Sequence, residues 1–305
     1  MIQITKEMLR PEAPVPGWYD WAMSETGDER FTDVDGCAVH YLYWTARCEQ
    51  PAGNLLLVHG GGGHAHWWSF IAPFFAAHYN VAAISLSGMG DSGRRPAYSA
   101  DIRVGDMRGV IADAFADGPT FICGHSFGGY MTSRFGQLHG DDVAGIIVAD
   151  SPFRPPEDEE TNPRNRARMG NKRHYATFDE AWRRFRLMPV QDCANTFLVE
   201  HIGRHSLMHT PEGWCWKWDG TAMNNRRFGE PFAEYLAAAT CRKAYLYGEK
   251  SVYTGGRNLA FAADLVGGHI VGVPEAQHHL MLDQPLATVA AVRGILAGWQ
   301  DQDRR

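Results

Sequence analysis

The sequence TFICGHSFGGYM, residues 120–131, joins a short apolar run to a serine flanked by glycines. Its first four residues are apolar, β-branched or aromatic, which is typical of a buried strand. The G-x-S-x-G pentapeptide Gly124–Gly128 follows at once, and a helix-compatible stretch runs from Tyr130 to Leu138. A serine on such a tight strand-to-helix turn needs very small neighbours two positions away, and its hydroxyl is then held clear of the sheet. This context predicts a nucleophilic Ser126 rather than a serine in an ordinary glycine-rich turn.

Strand-like and helix-like stretches alternate on both sides of this turn. A hairpin is predicted over Phe31–Thr45, with its turn at Asp35-Gly36. The predicted buried strands are Asn54–His59, Asn80–Leu86, Val143–Ala149, Lys243–Gly248 and His269–Val273. Strands without polar alternation, separated by helical stretches, are typical of a parallel sheet covered on both faces. The chain is therefore predicted to have an α/β fold with a mostly parallel, doubly wound sheet.

Other segments have weaker patterns. Residues 1–30 are rich in proline, tryptophan and acidic residues, and we expect an irregular arm laid over the body. Trp67–Ala77 is predicted to be a helix. Ser99 or Asp101 is expected to cap the next helix, whose apolar residues recur at helical spacing.

The regular alternation stops at Ser151-Pro152 and resumes near Lys243. Between them lie helical stretches near 178–187 and 194–207, and then three alternating tryptophans that include Trp214 and Trp216. We predict a core formed by residues 1–151 and 240–305, with a helical cap inserted at 152–239. Packing within the cap is the ordinary role for the tryptophans, and the walls of an acyl or alcohol pocket are the alternative.

Composition limits the classes of partner. The chain has 305 residues, 45% hydrophobic and 21% charged, with a formal net charge of −6, which gives no reason to expect a nucleic-acid partner. No stretch approaches the roughly 18 apolar residues of a membrane span, and the charged N-terminus does not resemble a signal peptide. Six scattered cysteines are expected to be reduced thiols, which favours the cytoplasm. The oligomeric state stays open, a homodimer included.

A serine hydroxyl is a poor nucleophile at neutral pH, so it needs a base and a donor site for the oxyanion. The run HGGGGH, residues 59–64, follows a predicted strand, and its glycines let backbone N–H groups approach a bound carbonyl oxygen. His278 and His279 follow the last predicted strand, at the same sheet edge as Ser126. Either histidine is a candidate base.

With these pieces in place, the chain resembles the α/β-hydrolase superfamily. VHGGGG, SLSGMGDSG, GHSFGG and HHLMLDQP occur in the family's order and spacing, and together they cover nearly the whole chain. The resemblance implies Ser126 as the nucleophile and backbone N–H groups of Gly61 and Phe127 as the oxyanion hole. It also favours His278 over His279 as the base, because His278 has the family's spacing to an acidic residue and a proline.

The sequence departs from the family at the acid. Relatives usually carry an aspartate in a G-x-x-D loop, and this chain has Gly248-Glu249-Lys250-Ser251 there. Some relatives place the acid at the end of the strand after the nucleophile, where this chain has Asp150. A carboxylate is still needed to orient the imidazole and stabilise its cation. We predict Asp150 as the acid, with Glu249 as the alternative.

The resemblance implies a serine hydrolase that cleaves an ester of a small, rather apolar molecule, with no cofactor and no metal. Lactone, thioester and carbon–carbon bond hydrolysis use the same residues and stay open, as does a non-hydrolytic ligand receptor on this fold. Gly62, His125, Trp214 and Trp216 are the candidate substrate-binding residues.

Two histidine pairs invite a metal. His201 and His205 are spaced i, i+4 on a predicted helix beside Glu200, but no third ligand is evident and H-E-x-x-H is absent. His64 and His66 could pair on a metal too. For His201 and His205 the ordinary interpretation is a surface or cap-packing role, whereas His64 and His66 are expected to line the site or to stabilise the glycine-rich run.

Overall fold

The structure is a computed structural model that describes residues 4–155, 173–222 and 230–303. Its main element is an eight-stranded sheet with the strand order β1-β2-β4-β3-β5-β6-β9-β10, and β7 and β8 form a separate hairpin. The ten strands are β1 Asp28–Val34, β2 Cys37–Trp44, β3 Asn54–Val58, β4 Asn80–Ile84, β5 Thr120–His125, β6 Gly145–Ala149, β7 Leu207–Thr210, β8 Gly213–Trp216, β9 Arg242–Gly248 and β10 Ile270–Val273.

Helices cover both faces of the sheet. In the described ranges they are α1 Lys6–Leu9, α2 Gly17–Ser24, α3 Ala72–Phe75, α4 Ala100–Ala114, α5 Phe127–His139, α6 Phe178–Trp182, α7 Thr196–His205, α8 Phe232–Ala237, α9 Arg257–Leu265, α10 Leu280–Asp283 and α11 Pro285–Asp303. None of these is long and apolar enough to cross a membrane.

The order of the strands confirms the predicted α/β fold. The six strands from β4 to β10 in this sheet pair in parallel, while β1 and β2 are antiparallel at one edge. Every residue of β3, β5 and β6 is buried, because helices cover both faces. The β1–β2 turn has φ 51° at Asp35 and 76° at Gly36, as a two-residue hairpin requires.

Two predicted segments differ from the structure. The predicted helix Trp67–Ala77 is instead a 3₁₀ turn, Ala65–Trp67, followed by the short helix α3. Pro73 lies in the first turn of α3, where a proline is tolerated, and its ring could not continue an earlier helix. The predicted irregular arm contains two helices, and α2 buries Tyr19 and Ala22 against the body. Tyr19 and Ala22 are three residues apart, a helical spacing that the surrounding prolines and charged residues conceal in the sequence.

The predicted insertion, 152–239, is described except for 156–172 and 223–229. It is only partly helical, because the alternating tryptophans lie in and beside the β7–β8 hairpin. Phe197, Leu198 and Ile202 of α7 join the hydrophobic core on one face of the sheet. Helix α8 packs on α5, where Phe232 stacks on Tyr130 with ring centroids 4.1 Å apart. The division of the chain into core and cap stays a prediction.

Candidate active site

Ser126 occupies a sharp turn between β5 and α5. Its φ of 52° is positive, a conformation that residues with a side chain rarely adopt. A Cβ atom on Gly124 or Gly128 would collide with neighbouring backbone, so only glycine fits at both positions. The Ser126 N–H donates to the Ala149 carbonyl at 2.8 Å, and its own carbonyl accepts from Ser151 Oγ at 2.7 Å. These bonds hold the serine in its strained conformation.

Ser126, His278 and Asp150 form a continuous chain of hydrogen bonds. Ser126 Oγ lies 3.0 Å from His278 Nε2, and His278 Nδ1 lies 2.7 Å from Asp150 Oδ2. Ser126 does not cap helix α5 with its hydroxyl, so its Oγ is directed to the histidine. Asp150 and His278 are at most 2% exposed. The structure therefore brings together the three residues that the sequence predicts as nucleophile, base and acid.

The carboxylate of Asp150 has a polar partner on each oxygen. Oδ1 accepts from the Gly248 N–H at 3.0 Å, and Oδ2 accepts from Ser251 Oγ at 2.6 Å as well as from His278. Asp150 itself has φ 48°, so the chain turns sharply at the end of β6. The acid position after β6 and the usual acid loop after β9 thus converge on one histidine.

Glu249 is exposed, and its described backbone bond runs from N–H to the Val273 carbonyl at 3.2 Å. Among the described hydrogen bonds of His278, Nδ1 is paired with Asp150. Glu249, the alternative acid, therefore does not occupy the position next to His278 Nδ1 that Asp150 occupies. In the sequence analysis, Ser251 indicates only that the usual aspartate is missing. Its hydroxyl group could also have indicated a hydrogen-bond donor to a carboxylate at another position.

The loop that carries His278, here called the base loop, is held from both sides. His125 Nε2 lies 2.8 Å from the His278 carbonyl oxygen, and His125 is only 1% exposed. Asp283 accepts from the Gln277 N–H at 2.7 Å and from Gln191 Nε2 at 2.9 Å. His125 thus supports the base loop, and its predicted contact with a substrate stays a prediction. Sequence analysis missed Gln191, since nothing in the sequence signals a contact so distant along the chain.

His59 fixes the run of residues 59–64, here called the glycine loop. Its Nδ1 donates to the Gly60 carbonyl at 2.7 Å, and its Nε2 accepts from the Leu86 N–H at 3.0 Å. Burial lowers the pKa of His59 to about 4, so the ring stays neutral and keeps one donor and one acceptor. A Cβ atom on Gly60 would lie 3.4 Å from Ser126 Cβ, so the loop passes directly beside the serine.

Of the predicted oxyanion donors, Phe127 follows Ser126 directly, and Gly61 follows Gly60, which lies beside Ser126. Gly61 and Gly62 are half-buried in the turn of the glycine loop, where Gly62 has φ 73°. Phe127 is the first residue of α5, and N–H groups in a first helical turn have no acceptor within the helix. The roles of Gly61 and Phe127 as donors, and of Gly62 in substrate binding, stay predictions.

The two candidate tryptophans contact other aromatic side chains. Trp214 is 3% exposed and packs edge-on against Phe178 and His209, while Trp216 lies against Phe185. Neither has a described contact with Ser126. Their role as walls of a substrate pocket stays a prediction, and packing accounts for the contacts of Trp214.

The base histidine also belongs to a cluster of side chains that could ligate a metal. His125, His278 and His279 have ligand atoms within 4.8 Å of one another. Both ring nitrogens of His278 are already committed, to Ser126 and Asp150. This group therefore suits proton transfer better than metal binding. In a second group, formed by His66, His201 and His205, both ring nitrogens of His201 are bonded as well, to Tyr19 and Ser69.

The curated relatives include several hydrolases. The chain is 31% identical over 127 residues to 2-hydroxy-6-oxo-6-(2'-aminophenyl)hexa-2,4-dienoic acid hydrolase from Metapseudomonas resinovorans, 40% of this chain and 42% of the relative. It is 29% identical over 132 residues to a monoacylglycerol lipase from Mycolicibacterium smegmatis, 41% and 47% of the two chains. The chain thus spans less than half the length of these first relatives. Esterase Rv0045c from Mycobacterium tuberculosis matches over more of its length, at 25% identity across 86% of this chain and 88% of the relative.

Solved structures share the fold. The E-2-(acetamidomethylene)succinate hydrolase structure superposes with a TM-score of 0.72 at 18% identity, covering 88% of this chain and 98% of that one. The crystal structure of esterase Rv0045c gives 0.67 at 18% identity, covering 94% and 100%. The sequence model of the Alpha/beta hydrolase family matches residues 55–292, which is most of the chain and includes Ser126, Asp150 and His278. The chain therefore belongs to the alpha/beta hydrolase family.

Proposed function

We propose that this protein is a serine hydrolase that cleaves a carboxylic ester of a small, apolar molecule through an acyl-enzyme. The observation that carries this proposal is the hydrogen-bonded chain from Ser126 Oγ through His278 to Asp150, at 3.0 and 2.7 Å. Family membership supports the hydrolase class, and a lipase and an esterase among the relatives support an ester substrate.

In the first half of the reaction, Ser126 Oγ attacks the ester carbonyl carbon and its proton passes to His278 Nε2. Asp150 stabilises the imidazolium that forms and keeps Nδ1 protonated. The N–H groups of Gly61 and Phe127 stabilise the oxyanion of the tetrahedral intermediate. The intermediate collapses, the alcohol leaves with the proton from His278, and the acyl group stays on Ser126.

In the second half, water attacks the acyl-enzyme while His278 Nε2 takes its proton. The new tetrahedral intermediate releases the acid, and His278 returns the proton to Ser126 Oγ. No step in this scheme needs a metal or a cofactor.

We place substrate selection in the segment between β6 and β9. Gln191 of this segment bonds to both the Asp283 carboxylate and the His279 N–H, which supports a position over the base loop. Replacing Gln191 or Trp216 by alanine is expected to shift relative kcat/KM among acyl chain lengths. Unchanged relative values in both variants would contradict this placement.

The nucleophile is tested with a fluorophosphonate probe and an aryl ester. Wild type should be labelled and should hydrolyse the ester, and Ser126→Ala should lose both properties. Ser133→Ala is the matched control, because Ser133 is buried on α5 and donates only to the Gly129 carbonyl. Near wild-type turnover in Ser126→Ala would contradict the proposal. Tight ligand binding without turnover in wild type would favour the receptor alternative.

Carbon–carbon bond hydrolysis is the second candidate, favoured by the similarity to the dienoic acid hydrolase. A vinylogous β-diketone and an aryl ester assayed side by side distinguish the two. A kcat/KM that is higher for the diketone would replace the ester proposal and leave the assigned residues unchanged.

A further inference from the structure

The aromatic ring of Tyr253 packs against the imidazole of His278. The two ring centroids lie 4.8 Å apart and the ring planes meet at 83°, which is an edge-to-face arrangement. Tyr253 belongs to the loop after β9 and is half-buried, whereas the neighbouring Val252 is 77% exposed. In the described contacts Tyr253 takes no part in the hydrogen-bonded chain of Ser126, His278 and Asp150. Its contact with the imidazole is therefore additional to that chain.

The two hydrogen bonds of the His278 ring leave one motion of the ring weakly restrained. Nδ1 is bonded to Asp150 and Nε2 to Ser126. Because a ring nitrogen makes its hydrogen bond in the plane of the ring, the two bonds define an axis through the imidazole. They resist tilting of the ring about that axis only weakly. A side chain that packs against the imidazole, as Tyr253 does, restricts this tilt.

Two further rings contact the imidazole of His278, and both are histidines. The centroids of His125 and His279 lie 4.8 and 4.9 Å from it. Burial lowers the pKa of His279 to about 3 and holds that of His125 well below 6.5, so neither ring adds a positive charge beside His278 at pH 7. Tyr253 is the ring neighbour that comes from the loop after β9.

The loop that carries Tyr253 is itself bonded to the carboxylate of Asp150. Ser251 Oγ donates to Asp150 Oδ2 at 2.6 Å, and the Tyr253 N–H donates to the same Oγ at 3.3 Å. Thr254 Oγ1 donates to the Gly248 carbonyl at 3.1 Å, which closes the loop on itself. The position of the Tyr253 ring is therefore coupled to the position of the carboxylate that bonds to His278.

We propose that Tyr253 is a positioning residue for His278, an inference that rests on the proposed hydrolase function. Its ring keeps the imidazole in the orientation in which Nε2 faces Ser126 Oγ. The described hydrogen bonds of Tyr253 are made by its backbone, so the ring rather than the hydroxyl group acts on the imidazole. A displacement of about 1 Å in a reacting group can lower the rate by about 10²-fold.

Steady-state kinetics with an aryl ester separate the ring from the hydroxyl group. Tyr253→Phe keeps the ring and should stay within about twofold of wild type in kcat. Tyr253→Leu lacks the flat ring and should lower kcat by about 10–100-fold. The change in KM should be far smaller, because the lost contact acts on the base and not on the substrate. Val252→Ala is the matched control at the neighbouring exposed position and should behave as wild type.

The rate of fluorophosphonate labelling is the second measurement. His278 takes the Ser126 proton in this reaction too, so labelling should slow in Tyr253→Leu and not in Tyr253→Phe. Tyr253→Gln, which also lacks the ring, should show the same losses and replaces Tyr253→Leu if circular dichroism shows that variant unfolded.

Two results would overturn the positioning role alone, in a wild type that is labelled and active. One is a kcat and a labelling rate in the ring-free variants equal to those of Tyr253→Phe. The other is a loss that lies in KM with kcat unchanged, since Tyr253 would then contact the substrate. A wild type that neither reacts with the probe nor hydrolyses the ester would overturn the proposed function, and the positioning role with it.

Discussion

The described residues include two groups of three histidines, and these groups differ in their partners. The base-loop group is His125, His278 and His279, and the α7 group is His66, His201 and His205. Both groups are largely buried and have ligand atoms within 4.8 Å of one another. In the base-loop group, one imidazole bonds to a buried carboxylate. In the α7 group, the described hydrogen-bond partners are hydroxyl groups and a backbone carbonyl.

The partner decides what each imidazole can do. In the proposed reaction, the carboxylate of Asp150 stabilises the imidazolium that forms when His278 takes the proton of Ser126. At His205 burial lowers the pKa to about 4, although the bond to the His201 carbonyl acts in the opposite direction, so this ring is neutral at pH 7.

The largest expected effect comes from removing the carboxylate that distinguishes the two groups. Asp150→Asn should lower kcat for an aryl ester by about 10⁴-fold, because a carboxamide neither stabilises the imidazolium nor fixes the tautomer. Steady-state kinetics measure this, and circular dichroism checks the fold. The double variant Asp150→Ser with Ser251→Asp returns the carboxylate to the usual acid loop. It should recover part of the lost kcat, since the two side chains lie 2.6 Å apart in the wild type.

A kcat within tenfold of wild type in Asp150→Asn would contradict the assignment. Failure of the double variant alone would not, provided that Asp150→Asn is inactive and folded. That combination would show that the Ser251 position supports the acid but cannot replace it.

Acid unfolding is the next largest effect, and both histidine groups contribute to it. The pKa is lowered by burial to about 4 for His205 and to about 3 for His279. Below pH 6.5 the unfolded chain takes up protons that the folded chain does not. Each such histidine therefore lowers the free energy of unfolding by up to about 1.4 kcal/mol per pH unit until the folded pKa is reached. Stability is present above pH 6.5 and is lost as the pH falls.

Urea unfolding between pH 7 and 5, with EDTA present, measures this slope. The slope reports the number of protons taken up on unfolding. His205→Gln and His279→Gln should each reduce this number by about one, while the exposed control His269→Gln should leave it unchanged. A flat dependence of the free energy of unfolding on pH in wild type would contradict the neutral, buried state of both groups.

Parts of the base-loop side could be predicted from the sequence. The turn at Ser126 could be found because its backbone allows only glycine two residues before and after it, so the turn is visible in the residue types. The buried strands could be predicted because their residues are apolar without alternation. In both cases a local physical requirement restricts the residue type. Asp150 came instead from the resemblance to the family, some members of which place the acid there, and its role stays a prediction.

The α7 side could not be predicted in the same way. His201 and His205 were visible as a pair, but His66 reaches them only through the fold. The β7–β8 hairpin and the contacts of Trp214 also depend on neighbours distant in sequence. Aromatic packing tolerates many residue types, so it leaves no fixed motif. The break at Pro73 is visible in the sequence, because a proline is disfavoured inside a helix.

A smaller effect is expected at Ser251. Its hydroxyl donates to Asp150 Oδ2 at 2.6 Å, and a hydrogen bond to a charged group contributes about 1.5–3 kcal/mol. Ser251→Ala should therefore lower the free energy of unfolding by about that amount at pH 7. Its effect on kcat should be far smaller than that of Asp150→Asn, since Oδ2 still accepts from His278. Urea unfolding and ester kinetics on the same preparation measure both quantities. A loss of kcat as large as that in Asp150→Asn would make Ser251 part of the proton-transfer chain.

The smallest effect is expected at Glu249, the alternative acid. This side chain is exposed, whereas the imidazole that it would have to orient is 2% exposed and already bonded to Asp150. Substitutions at exposed positions usually change the free energy of unfolding by less than about 0.5 kcal/mol, and the same energy corresponds to about twofold in rate. Glu249→Gln should therefore stay within about twofold of wild type in kcat. A Glu249→Gln variant that is folded and inactive, beside an active Asp150→Asn, would move the acid to the loop after β9. The carboxylate that distinguishes the base-loop group from the α7 group would then be Glu249. A rearrangement of the loop after β9 during turnover would bring it to His278.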